Sequence, residues 1–76
     1  MLTHKQRALL LFIQGHIERE GIAPTQQEMA DGVGLRARSG INTMLNRMAE
    51  RGAIRIEREK MRGVVVIKPV EPNGQG

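Results

Sequence analysis

From His4 onward apolar residues recur at helical spacing: Leu10, Ile13 and Ile17 share one face with Gln6, and Leu9 widens the stripe. Thr3-His4-Lys5-Gln6, just ahead of it, has the form of a capping box, in which a Thr hydroxyl accepts from the third helical amide while the Gln side chain returns to the cap amide. The spacing predicts a helix that starts after Thr3 and stops at Gly21. Leu11 and Phe12 fall off the stripe, so at least one of them packs under a second element or stays partly exposed.

Gly21-Ile22-Ala23-Pro24 reads as an extended connector, because proline biases Ala23 away from helix. A second capping box, Thr25-Gln26-Gln27-Glu28, opens a short helix that turns Met29 and Ala30 inward and ends around Val33 at Gly32 and Gly34. Leu35 returns to the core. A third helix runs over about Arg38 to Arg51. At about 100° per residue, Ala37, Ile41, Met44, Leu45 and Met48 form one apolar stripe, and Ser39, Asn42, Thr43, Asn46, Arg47 and Glu50 fill the opposite face.

After Gly52 the pattern changes period. Residues 53–58 alternate apolar and charged, 59–63 form a charged turn with a glycine, and 64–67 are a β-branched run ended by Lys68-Pro69. The pair is a hairpin. Three helices followed by a two-stranded antiparallel hairpin, with a short second helix and a tight glycine turn before a polar-faced third, describe an α+β winged helix-turn-helix. Its expected core takes in Ile13, Ile17, Leu35, Ile41, Leu45, Met48, Ile54, Ile56 and Val66. The domain is expected over 1–68, with 69–76 a disordered tail or the start of a hinge linker.

At 76 residues the chain holds one domain, and a single aromatic, Phe12, makes the core small and aliphatic. No cysteine is present, so no disulfide framework or thiolate metal site is expected. His4 and His16 lie twelve residues apart without a third ligand type clustered near either, so neither metal nor cofactor is expected. Ala8 to Ile13, the longest apolar run, is too short to span a bilayer, and no charged leader with a cleavage site precedes it. The expectation is a soluble cytoplasmic protein with no membrane role.

Charge sharpens the picture. The chain carries +4 overall, yet residues 34–68 hold nine Lys and Arg against three Glu, and the first 33 residues are nearly neutral. A basic second half is the footprint of a nucleic-acid face, although acidic proteins and membrane surfaces attract the same charge. The polar face of the third helix carries side chains able to read base edges in a major groove, and a basic hairpin suits the adjacent backbone. Arg38, Arg47 and Arg51 are phosphate or base contacts, or else a solvated helix face; Glu50 argues that the lower end of the helix leaves the groove.

Leu2-Thr3-His4-Lys5-Gln6, Pro24-Thr25 with Glu28 and Ala30, Gly34-Leu35-Arg36, Leu45, Arg51-Gly52-Ala53-Ile54 and Arg62-Gly63 together resemble the amino-terminal DNA-binding domain of LexA-type SOS repressors, over about residues 2–68. The Ser39-Gly40-Ile41 stretch looks most like the alphaproteobacterial branch. The resemblance implies a bacterial or phage repressor that binds double-stranded DNA at paired half-sites. It puts Ser39, Gly40, Asn42 and Thr43 near bases, joined by Asn46 from the same face. Arg36, Arg38, Arg47, Lys60 and Arg62 then fall on the DNA backbone. Enterobacterial members carry acidic side chains where this chain has Asn42 and Thr43, so base preference does not transfer from them.

The family normally continues into a domain that dimerises and cleaves its own hinge with a serine nucleophile and a lysine base. Ser39 is the one serine among these 76 residues and sits on the proposed reading face, so no catalysis is expected of them. Without heptads or a broad apolar surface the chain is expected to be a monomer alone and to occupy DNA in two copies. The competing reading is a small winged-helix module that binds another regulator protein through Leu11 and Phe12.

Overall fold

Both capping boxes form. Thr3 Oγ1 accepts from the Gln6 amide at 3.1 Å and Gln6 Oε1 accepts from the Thr3 amide at 3.1 Å. That satisfies two of the amides that a helix start leaves without partners. Helix α1 then spans His4–Glu20 and α2 spans Gln26–Val33, the latter opened by the same exchange between Thr25 and Glu28. The computed structural model describes residues 2–34 and 38–70, Arg38 by its backbone alone. Helix α3 covers Arg38–Glu50, and strands β1 (Ile54–Ile56) and β2 (Val64–Val66) pair antiparallel with Ile54 opposite Val66 and Ile56 opposite Val64. This is the expected α+β winged helix-turn-helix.

Helix α2 packs against both α1 and α3, and β1 packs on α3, so the hairpin is carried by the third helix. Leu9, Leu10, Ile13, Met29, Ile41, Leu45, Met48 and Ile54 are buried at the centre, where each aliphatic side chain contributes about 1.5–3 kcal/mol by leaving water. Ile17, Ile56 and Val66, expected inside, only flank this cluster and stay half-buried. Leu9, Ala53 and Val64 are buried in addition. Leu35 and Ala37 lie outside the described residues.

Two further expectations are corrected. Gly32 does not end α2, which runs on to Val33 and caps at Gly34. The Phe12 ring occupies the space that a Cβ on Gly32 would need, so a glycine lets α1 and α2 approach there. The strands are also shorter than the alternation implied. The amides of Ile67 and Lys68 both converge on the Ala53 carbonyl, at 2.9 and 3.0 Å, which ends the ladder. At the other end Glu57 already belongs to the turn, its carbonyl accepting from the Lys60 amide at 3.1 Å.

The joint between α3 and the hairpin follows from Gly52. Its φ of 79° is left-handed, a conformation glycine adopts without strain. From there its amide reaches Ala49 at 3.0 Å and the Ala53 amide reaches Met48 at 3.0 Å. This paired closure of the last helical carbonyls turns the chain sharply into β1. The described chain continues past β2 to residue 70. Val70 is fastened to α1 by two hydrogen bonds with Gln14.

Candidate nucleic-acid interface

Because α3 buries Ile41, Leu45 and Met48, its opposite side faces outward, and Ser39, Asn42, Thr43 and Arg47 are all exposed there. Gly40 and Asn46 are half-buried at its edges. Thr43 Oγ1 donates to the Ser39 carbonyl at 3.1 Å, which uses its proton within the helix and leaves its oxygen lone pairs outward. Asn42 makes no such bond among those described and borders a cleft lined also by Gln26 at the start of α2, by Met29, Leu45 and Ile56, and by Glu57, Arg58, Lys60 and Met61 of the wing. Third helix, start of second helix and hairpin turn thus meet around one polar hollow.

The wing turn is tightly built. Gly63 lies so close to the Glu57 carbonyl that a side chain would not fit, and the Glu57 amide donates to the Gly63 carbonyl at 2.7 Å. Met61 stands at the tip, 84% exposed, beside an exposed Lys60 whose ammonium lies 3.5 Å from Glu57. Arg55 flanks the same carboxylate at 3.5 Å, so Glu57 sits between two cations. Such exposed pairs contribute little to stability and leave the cations available to a polyanion.

Two wing arginines behave differently. Arg58 Nη2 donates to Asn46 Oδ1 at 3.0 Å, linking the turn to α3. Arg62, expected on the DNA backbone, turns back onto the protein: its Nη1 donates to the Ala23 carbonyl at 3.0 Å and to Glu28 Oε1 at 2.8 Å. The same carboxylate oxygen accepts from the Thr25 amide at 2.8 Å. His16 Nε2 lies 3.8 Å from it, with Nδ1 of that ring 2.8 Å from the Ile22 carbonyl. The Thr25 amide, followed by the Arg62 guanidinium, holds the Glu28 carboxyl below the usual carboxylate range.

Neither the Arg58 bond to Asn46 nor the Glu28 partnership was foreseen from the sequence, because both arginines stand in the turn beyond the strand ends, where alternation no longer assigns a side. Arg36 and the Arg38 side chain lie outside the described residues. Phe12 and Leu11 are both half-buried, and the Phe12 ring lies against Gly32 of α2 and 6.1 Å from the ring of His16. Among the described residues no helix is long and apolar enough to cross a membrane, and no three acidic, Cys or His side chains gather to hold a metal.

A family profile described as the LexA DNA binding domain matches residues 1–63, from the first capping box through the wing turn. The chain belongs to the LexA DNA-binding-domain family. It is 43% identical over 68 residues to the LexA repressor of Pelagibacter ubique, which is 90% of this chain and 30% of that protein. It is also 40% identical over 68 residues to the LexA repressors of Gluconobacter oxydans and Cereibacter sphaeroides, covering 29% and 30% of them. The chain therefore spans about 30% of the length of these relatives, and its match is to a non-catalytic, DNA-binding domain.

Proposed function

We propose that this chain binds double-stranded DNA sequence-specifically and serves as the operator-reading part of a cytoplasmic repressor of the SOS type. The observation that carries the reading is the exposed polar row of α3, whose Asn42 borders a hollow shared with the wing, in a chain of the LexA DNA-binding-domain family. A helix fits the major groove, where base pairs present distinct donors and acceptors, and α3 offers Ser39, Gly40, Asn42, Thr43 and Asn46 to them. Arg36, Arg38, Arg47 and Lys60 meet phosphates.

Alone the chain is a monomer, because the large exposed apolar side chains among the described residues, Ile22, Met61 and Ile67, sit in three separate segments and offer no broad dimer surface; on DNA two copies occupy paired half-sites. Selection of bound duplexes from a random pool, followed by a salt titration on the winner, tests the reading. Enrichment of a repeated half-site is expected, with log affinity falling by about 0.9 per log salt for each phosphate neutralised. A pool that stays random removes sequence-specific binding.

A further inference from the structure

We propose that Arg62 is a positioning residue of the DNA interface, holding the wing against the start of α2 rather than neutralising a phosphate itself. This rests on the DNA-binding reading and deepens it. The guanidinium already has two acceptors, the Ala23 carbonyl at 3.0 Å and Glu28 Oε1 at 2.8 Å. This charge-assisted hydrogen bond is short, and although its side chains are 38% and 42% exposed, it joins the hairpin to a helix 34 residues away in sequence.

The anchor is itself fixed. Glu28 cannot swing freely, because the same oxygen closes the capping box of α2 with the Thr25 amide. Ala23 is buried, followed by a fully buried Pro24. The hairpin, by contrast, has three residues in each strand, and a two-stranded ribbon of that size has marginal stability of its own. Its direction is therefore set by what ties it to the helices.

Arg58 ties one end of the turn to Asn46 on α3, and Arg62 ties the other end to α2. Lys60 and Met61, between them, are left projecting over the hollow that Asn42 and Gln26 border. Electrostatics points the same way. An arginine neutralised by a carboxylate at 2.8 Å presents little net charge to a polyanion, whereas Lys60 stands farther out.

The test uses the whole chain with Arg62→Gln, Glu28→Gln and the double variant. Glutamine at position 28 still accepts from the Thr25 amide, as Gln6 does in α1, so the helix start survives while the anionic anchor is lost. Affinity for the selected duplex is measured over a range of salt, and amide exchange of residues 57–63 is measured without DNA. Each single variant is expected to bind severalfold more weakly with a salt slope parallel to wild type, the double variant no more weakly than either, and wing amides to exchange faster in all three.

An Arg62→Gln slope shallower by about one unit overturns the proposal, because that is the mark of a lost phosphate contact. So does tighter binding by Glu28→Gln, the result of simply removing a negative charge near DNA. Unchanged wing exchange in the variants overturns the brace alone. A wild-type chain that binds no duplex overturns the DNA reading, and the positioning role with it.

Discussion

Gln14 grips both polar groups of the Val70 backbone, its carboxamide donating to the carbonyl at 3.0 Å and accepting from the amide at 2.8 Å across 56 positions of sequence. The side chain thereby does what a neighbouring strand would do for an edge residue. It holds the segment after β2 on α1. Gln14→Ala is expected to lose about 1–3 kcal/mol for the two bonds together. Denaturant unfolding reads the loss, and the Val70 amide should exchange fastest of all those affected.

Leu45 is 1% exposed beneath α3, between α2 and β1. Leu45→Ala should cost about 2–5 kcal/mol through lost burial and an unfilled cavity, a large share of the stability of so small a domain. A thermal melt close to wild type would mean that α3 is rotated from the orientation described.

Asn42 is exposed on the outer face of α3, and an Asn carboxamide pairs with adenine by one donated and one accepted bond. Asn42→Ala is expected to lose about 1–3 kcal/mol on the preferred duplex and almost nothing on random DNA. Ser39 and Thr43 should follow the same pattern with smaller losses, Thr43 least, since its hydroxyl proton is already spent on Ser39. Competition binding with specific and random duplexes separates these outcomes.

Lys60 offers the opposite signature. Its exposed ammonium on the wing makes one weak pair with Glu57. Lys60→Ala should weaken every duplex alike and reduce the salt slope by about one unit. A change of preferred sequence in this variant would make the hairpin a base reader.

Acid should loosen the joint between α2 and the wing. The Glu28 carboxyl is held below its ordinary value of 4.5 by the Thr25 amide and Arg62. Its folded pKa is thus lower than its unfolded one, so its stabilising effect is complete above the ordinary value and fades as pH falls through the lowered value. Unfolding measured from neutral pH down into that range should show an acid limb that Glu28→Gln flattens.

What the sequence made legible follows from how far each feature reaches. Thr3 with Gln6 and Thr25 with Glu28 are three residues apart, and Gly21, Gly34 and Gly52 follow directly on the helices they close, so pattern alone finds them. The outward side of α3 was legible because Ile41, Leu45 and Met48 define its inward side. Arg62 with Glu28 and Gln14 with Val70 depend on tertiary neighbours 34 and 56 residues away, and a charged or amide residue in a polar stretch carries no mark of its partner. Gly32 was misread for the same reason: its role is to make room for Phe12, a residue of another helix.

That last contact has a bearing on how this sequence changes over generations. With the Phe12 ring seated over Gly32, a methyl at position 32 requires the ring to move from its place against α2. A smaller residue at position 12 would lift that restriction and, at the same stroke, leave a hole that an alanine at 32 can fill. Neither step is comfortable alone, so the two positions are expected to drift as a pair among relatives, tracing in their joint history how closely α1 and α2 lie.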